Sequence, residues 1–285
     1  MTTVALVAPA GPVPPERLDR ALAALDGWGL RVKNLVTPGS RAAPYLADTD
    51  AVRAKLFTEA WLDPDVSIVI AARGGYGTQR MLDVLDWPAL RGAGPKVFAG
   101  SSDVTALHAA IHAHLGLPTL FSPMPAGDFW DDAGGAGLRR ALVEPGPVTL
   151  TGTDALVPGT ARGRLLGGNL SLLASSVGTP EQGSARGALV VLEDVTEPVY
   201  RLDRMLTQLL RSGWFDGVAG VVLGTWTRCG DPAEVRALML DRLAPLGVPV
   251  LGGVPFGHVT GSLTVPLGVA AALDTAQLRV VADAP

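Results

Sequence analysis

The sequence predicts an α/β fold: an N-terminal, mainly parallel sheet flanked by helices, then a smaller C-terminal mixed α/β domain. Three observations predict it. Short runs such as Val4–Ala8 and Val66–Ala72 are apolar almost throughout, as strands covered on both faces require. Segments with apolar residues at helical spacing alternate with those runs. Residues 143–163, rich in proline and glycine and without helical period, divide the chain into domains at 1–142 and 164–285.

The elements follow in order. Val4–Ala8 reads as a buried strand stopped by Pro9 and Gly11-Pro12. Pro15–Leu25 places Leu18, Ala21, Leu22 and Leu25 on one helical face. Val32–Val36 is a strand, and Asp48–Trp61 a helix with Asp48 as its expected N-cap. Val66–Ala72 is a strand that runs into Arg73-Gly-Gly-Tyr-Gly77, and Thr78–Leu85 is helical. Val97–Ala99 is a short strand, Val104–Leu115 a helix and Thr119–Phe121 a strand. Glu144-Pro-Gly-Pro147 and Pro158-Gly159 bracket the expected linker. Beyond it come a helix Leu170–Ser176, a strand Gly187–Leu192 and a helix Arg201–Ser212. That last helix has Leu202, Met205, Leu206, Leu209 and Leu210 on one stripe. A strand Val218–Leu223, a helix Ala233–Leu243, a strand Pro249–Val254 and a strand pair around Asp274-Thr275 complete the chain.

Composition removes several classes of function. With 285 residues, 48% hydrophobic and 18% charged, the chain has ample material for a core. The net charge is -4 and there is no basic tract, so no nucleic-acid partner is expected. No apolar run reaches bilayer length, so no membrane partner is expected. Met1-Thr2-Thr3-Val4 lacks a basic stretch followed by an apolar one, so no signal peptide is expected. A single cysteine, Cys229, excludes an internal disulfide and a Cys-rich metal cluster, which fits a cytoplasmic protein.

The segment Lys96–His108 carries the strongest chemical signal. A short strand passes through Gly100, Ser101, Ser102 and Asp103 straight into a helix. A serine on so sharp a turn stands at the carboxyl edge of the sheet, with helix amides near its reacting oxygen. The pattern is not G-x-S-x-G, because residue 104 is valine. The alternative is that Ser102 or Asp103 only caps the helix. A serine nucleophile needs a base, and the chain has four histidines. His108, His112 and His114 lie on the helix itself, turned aside or more than a turn away. His108 and His112 have the spacing of a zinc pair, yet no acidic residue stands between them, and no metal is expected. His258 remains, in a loop after an apolar strand. A base of this kind is oriented by a carboxylate. Glu193 and Asp194 end a buried strand, where open α/β sheets place ligand groups. Glu193 is the first choice and Asp194 the second, against a plain salt bridge to Arg201 or Arg204. The glycines of Arg73–Gly77 allow a backbone to approach an anion. This loop reads as half of an oxyanion hole, with the Asp103 amide as the other half, or as a phosphate site.

Six segments, taken in order, resemble one family. They are Val7–Pro12, Ala72–Gly77, Gly100–Thr105, Gly163–Leu170 with Gly178-Thr-Pro180, Leu192–Pro198 running into Tyr200–Met205, and Gly257-His258 with Pro266-Leu-Gly268. Together they resemble the LD-carboxypeptidase family of serine peptidases, which includes muramoyltetrapeptide carboxypeptidases and microcin C self-immunity hydrolases. The resemblance spans nearly the whole chain. It implies Ser102 as nucleophile, His258 and Glu193 as its triad partners, and the amides of Asp103 and Gly75 as the oxyanion hole. Arg73, in the same loop, is the candidate to meet a substrate carboxylate. Ser101 departs from the family, many of whose members carry an aromatic residue there.

The implied fold has the triad straddling the cleft between two domains. The implied reaction cuts the amide between an L-centre (diaminopimelate or lysine) and the terminal D-alanine of a murein tetrapeptide, through an acyl-enzyme and without metal or organic cofactor. The implied partners are a small muropeptide and a second copy of the chain. The alternative is a microcin C-type hydrolase of peptidyl- or aminoacyl-nucleotide amides, with Trp130, Trp214 or Trp226 stacking on a base. A non-catalytic cleft-binding protein and a phosphate transferase fit the residues less well.

Overall fold

The structure is a computed structural model that describes residues 2–37 and 43–284. Its strands are β1 (Thr3–Val7), β2 (Arg31–Asn34), β3 (Ile68–Ala71), β4 (Val97–Gly100), β5 (Thr119–Phe121), β6 (Val148–Thr151), β7 (Asp154–Val157), β8 (Thr160–Asn169), β9 (Ala188–Val195), β10 (Gly220–Thr227), β11 (Val250–Gly252), β12 (Val265–Leu267), β13 (Ala270–Asp274) and β14 (Arg279–Ala282).

They form two sheets. The first has the order β12-β5-β4-β3-β1-β2, with β1 to β5 all parallel. Its register aligns Leu6 with Ile70, Ile70 with Ala99 and Gly100 with Phe121. The loops after β1, β3 and β4 therefore leave from one edge. The fully apolar strands are covered on both sides: Phe57, Trp61, Phe98 and Leu107 belong to one core cluster, Leu6, Leu25, Ile70 and Leu138 to another.

The second sheet runs β6-β14-β13-β8-β9-β10-β11-β7, with β8 to β11 parallel at its centre. The helix predicted from the leucine stripe spans Val199–Arg211, and it buries Leu202, Leu206 and Leu209 completely. Burial of each such side chain stabilises the fold by about 1.5–3 kcal/mol. On the opposite face Leu189, Val191 and Val222 join Phe121, Val265 and Leu267 of the first sheet in one cluster, so the two sheets share a core.

Several expectations change. The segment 143–163, expected as a linker, contains β6, β7 and the start of β8. β6 and β7 are the two edge strands of the second sheet, and their mostly half-exposed side chains leave no continuous apolar run to read. β12 was not predicted as a strand; it crosses to the first sheet and pairs antiparallel with β5. The helices Trp87–Gly92 and Asp132–Val143 were also not predicted, the second because Gly134, Gly135 and Gly137 weaken its pattern. Thr49, not Asp48, caps the helix Asp50–Leu62, accepting from the Val52 amide at 3.3 Å. Asp48 instead accepts from the Thr49 amide. The helix after Gly77 stops at Leu82, and the one after the serine turn starts at Thr105, behind a 3-10 turn Ser102–Val104. No helix among the described residues is long and apolar enough to cross a membrane.

One consequence positions the site. β11 belongs to the second sheet and β12 to the first, so the loop that joins them, with His258 in it, spans the two sheets.

Candidate active site

The turn after β4 is strained where the sequence analysis places the nucleophile. Ser101 is extended, and Ser102 has φ +63°, left-handed for a residue with a Cβ. Such a conformation costs about 1–3 kcal/mol and persists only where surrounding contacts impose it. The contacts are visible. A Cβ at Gly100 would lie 2.8 Å from Val104 Cγ2 and 3.0 Å from Ala71 Cβ, so the strand ends on a glycine. Beneath it His108 is buried, with Nε2 2.9 Å from the Gly100 carbonyl and Nδ1 2.8 Å from Thr119 Oγ1. Burial pushes its pKa down to about 4, against the weaker opposing effect of the Gly100 carbonyl. A neutral ring donating from Nε2 to Gly100 accepts from Thr119 at Nδ1. His108 thus braces the strand ends.

The glycine loop presses on this turn. A Cβ at Gly74 would lie 2.9 Å from Ser102 Cβ and 3.1 Å from Ser102 Oγ, so the closest approach is at Gly74, one residue before Gly75. The Gly74 carbonyl accepts from the Gly11 amide at 3.1 Å. Across a trans peptide the Gly75 N–H then points away from Gly11. Among the described residues, the amides of Gly75 and Asp103 make no hydrogen bond to a loop carbonyl. Arg73 donates from Nη1 to the Pro12 carbonyl at 2.9 Å. The Asp103 carboxylate does not cap its own helix: it accepts from the Thr78 amide at 2.8 Å, at the start of the helix after the glycine loop.

The second sheet supplies charge. Glu193 lies on β9 with no side-chain exposure. Its Oε2 is 2.7 Å from His258 Nδ1 and accepts from the His258 amide at 3.2 Å. Its Oε1 accepts from Asn169 Nδ2 at 3.1 Å. The same Asn169 amide group donates to Asp194 Oδ1 at 3.0 Å, and the other Asp194 oxygen accepts from the amide and hydroxyl of Ser171. Burial, then the charge of Glu193, raises the Asp194 pKa. Arg201 pairs with Glu197 and Arg204 lies over the Tyr200 ring, so neither forms the strand-end salt bridge considered for Glu193. Gly257 has φ +106°, and a Cβ there would lie 2.4 Å from Glu193 Oε2. Thr227 Oγ1 donates to the His258 carbonyl at 2.6 Å, and the Phe129 ring stands edge-on to the imidazole at 5.6 Å.

Burial disfavours a charged His258. The Glu193 carboxylate beside it, with Asp194 and Asp128 further away, outweighs this and raises its pKa above the ordinary value of 6.5. With Nδ1 turned to Glu193, Nε2 is the nitrogen left for chemistry.

Ser102 and His258 line one open cavity, together with Arg73, Gly74, Gly75 and Phe129. Among the described residues no hydrogen bond joins Ser102 to His258. Of the three tryptophans considered for stacking, Trp130 lines this cavity, Trp226 lines a separate hollow and Trp214 is buried. Sequence reasoning assigned no role to Asn169 or Phe129, and it chose Gly75 where the closest approach to Ser102 is at Gly74. The signal for Asn169 was its place in the segment Gly163–Leu170, at the buried end of β8.

Comparison with known proteins identifies the family. Residues 4–122 match the LD-carboxypeptidase N-terminal domain, and residues 162–273 match the LD-carboxypeptidase C-terminal domain. The chain is 53% identical over 289 residues to the Streptomyces coelicolor protein SCO6489, which bears a provisional carboxypeptidase name; the match covers 99% of this chain and 93% of that one. The chain belongs to the LD-carboxypeptidase family. The murein tetrapeptide carboxypeptidase of Pseudomonas aeruginosa is 34% identical over 301 residues, covering 97% of this chain and 94% of its own length. The crystal structure of muramoyltetrapeptide carboxypeptidase from Oxalobacter formigenes superposes with a TM-score of 0.88 at 33% identity, covering 99% of this chain and 98% of that one. In LD-carboxypeptidase terms, the N-terminal match contains Ser102 and the glycine loop, and the C-terminal match contains Glu193 and His258.

Proposed function

We propose that this LD-carboxypeptidase family member is a serine carboxypeptidase that releases the terminal D-alanine of murein tetrapeptides. The observation that carries the reading is convergence on one cavity. A left-handed Ser102 comes from the first sheet, and a His258–Glu193 pair with Nδ1 2.7 Å from the carboxylate comes from the second. In this reading His258 Nε2 takes the Ser102 proton, and Glu193 holds the imidazole tautomer and stabilises its positive charge. Ser102 Oγ attacks the carbonyl of an L-centre, diaminopimelate or lysine. The amides of Asp103 and Gly75 donate to the oxyanion, each good donor contributing about 3 kcal/mol in the transition state. The C–N bond breaks, D-alanine leaves with the proton from His258, and water then opens the acyl-enzyme by the same route. Arg73 is the cation of the cavity wall that meets the leaving group's carboxylate. Ser101 is extended, which supports Ser102 as the reacting hydroxyl. No metal or organic cofactor enters the scheme. The reading includes a homodimer in the cytoplasm, the first testable by light scattering and the second by fractionation.

The test is release of D-alanine from a purified murein tetrapeptide by wild type and Ser102→Ala. The variant is expected to fold normally and to release D-alanine at least about 10³-fold more slowly. Full turnover by it would reject the nucleophile. The microcin C-type reading rests on Trp130 in the cavity wall and on 26% identity over 269 residues to the Microcin C7 self-immunity protein MccF of Escherichia coli, a match covering 81% of this chain and 77% of that one. An aminoacyl sulfamoyl nucleoside, assayed beside the tetrapeptide, separates the two.

A further inference from the structure

The glycine loop is held at two peptides, and the second of them is gripped from both sides. Its first anchor is the Gly74 carbonyl, which accepts from the Gly11 amide. Its second is the peptide between Gly77 and Thr78. The carbonyl of that peptide accepts from Arg53 Nη1 at 2.8 Å, and its N–H donates to Asp103 Oδ2 at 2.8 Å. The two groups of a trans peptide point in opposite directions, so a cation and an anion close on one planar unit.

Both grips come from buried side chains. The Arg53 side chain is 1% exposed and the Asp103 residue 3%. Arg53 reaches from the helix Asp50–Leu62 and also donates to the carbonyls of Pro9 and Asp48 and to Asp50. Asp103 comes from the turn next to Ser102, so its carboxylate ties the glycine loop to the nucleophile turn directly. Position 77 admits only glycine: φ is +118°, and a Cβ would lie 2.4 Å from Leu46 Cδ2 and 3.2 Å from Arg53 Nη1.

We infer that Arg53 and the Asp103 carboxylate are a pair of positioning residues that clamp the Gly77–Thr78 peptide and so fix the oxyanion loop against Ser102. Neither side chain touches substrate in this scheme. They act through the Gly75 amide, and the inference rests on the proposed reading of Ser102 and that amide. A backbone donor displaced by about 1 Å loses on the order of a hundredfold in rate, because its benefit exists only in the transition state. Substrate binding depends on the loop much less.

The test compares kcat and KM for D-alanine release in Asp103→Ala, Asp103→Asn and Arg53→Lys. Asp103→Ala is expected to lower kcat by about 30–100-fold with KM within about threefold of wild type. Asp103→Asn keeps an oxygen acceptor for the Thr78 amide and is expected to recover at least about tenfold of that loss. Arg53→Lys keeps the charge without the planar fork and is expected to lower kcat about tenfold. Combined with Asp103→Ala it should cost less than the product of the single losses, because both act on one peptide.

A wild-type kcat in folded Asp103→Ala overturns the clamp, as does an equal loss in Asp103→Asn and Asp103→Ala. Should Asp103→Ala fail to fold, an unchanged kcat in Arg53→Lys overturns it instead. Ser102→Ala serves as the control. If it turns over, the nucleophile reading has failed; if it is dead while Asp103→Ala runs at wild-type kcat, only the clamp has.

Discussion

The two sheets meet at the cavity with different materials. The edge of the first sheet offers backbone: a strained serine, three glycines and two amides free of loop partners among the described residues. Its side chains are kept out by contact, as at Gly74, where any Cβ would press on Ser102. The edge of the second sheet offers buried side chains: Glu193, Asp194 and Asn169 in one hydrogen-bonded group, with His258 docked on it. A backbone half is held by shape and fails when a methyl is added. A charged half is held by pairing and fails when a partner is removed, because the remaining buried group keeps its desolvation cost. The halves also differ in readiness. His258 and Glu193 are joined within the second half, whereas Ser102 has no hydrogen bond to His258.

The largest effects test whether both halves are needed. Ser102→Ala should lower turnover by at least about 10³-fold with an unchanged melting temperature. Turnover within tenfold of wild type would remove the first half from the chemistry. Glu193→Gln keeps the shape but removes the charge that orients and supports His258, and kcat should fall by about 10³–10⁴-fold. Activity near wild type would leave the buried carboxylate without a catalytic part.

Adding one methyl on each side sharpens the contrast. Gly74→Ala should lower kcat about 10–100-fold while the melting temperature stays nearly constant, because only the loop and Ser102 need to shift. Gly257→Ala should destabilise the fold by about 1–3 kcal/mol as well, since its φ is +106° and the clash is with a buried carboxylate. Equal melting curves for the two variants would contradict the distinction. Asn169→Ala removes a donor shared by two buried carboxylates and should cost about 1–3 kcal/mol, read from chemical denaturation.

The smallest effect is in pH. A base must be neutral to accept the Ser102 proton, so kcat/KM should fall on the acid side with a midpoint above 6.5, where burial is outweighed by Glu193. Glu193→Gln should move that midpoint to lower pH. The linked stability has the opposite sense. A raised histidine pKa contributes stability fully below the unfolded value of about 6.5, and that contribution disappears as pH rises through the folded value. A midpoint that ignores Glu193→Gln would detach His258 from the acid limb.

The sequence by itself determined the local features. A continuous apolar run that meets glycine, serine and a helix is a strand-to-helix turn whatever lies around it, and Ser102 does sit there in a left-handed conformation. The stripe from Leu202 to Leu210 determined its helix, and the carboxylates at the end of β9 were legible as an interior charge. Only the tertiary structure decided which groups meet across the chain. Edge strands β6 and β7 hid in a segment read as a linker, because a half-exposed strand has no apolar run. β12 pairs with β5 at the edge of the first sheet, and that pairing carries the His258 loop across towards Ser102. The Asp103 carboxylate, plausible as a cap for its own helix, caps another one 25 residues earlier. Periodicity and spacing report what a segment does with its neighbours in the chain. Which buried donor finds which acceptor depends on what packing has left unpaired, and that is settled only when the sheets close on each other.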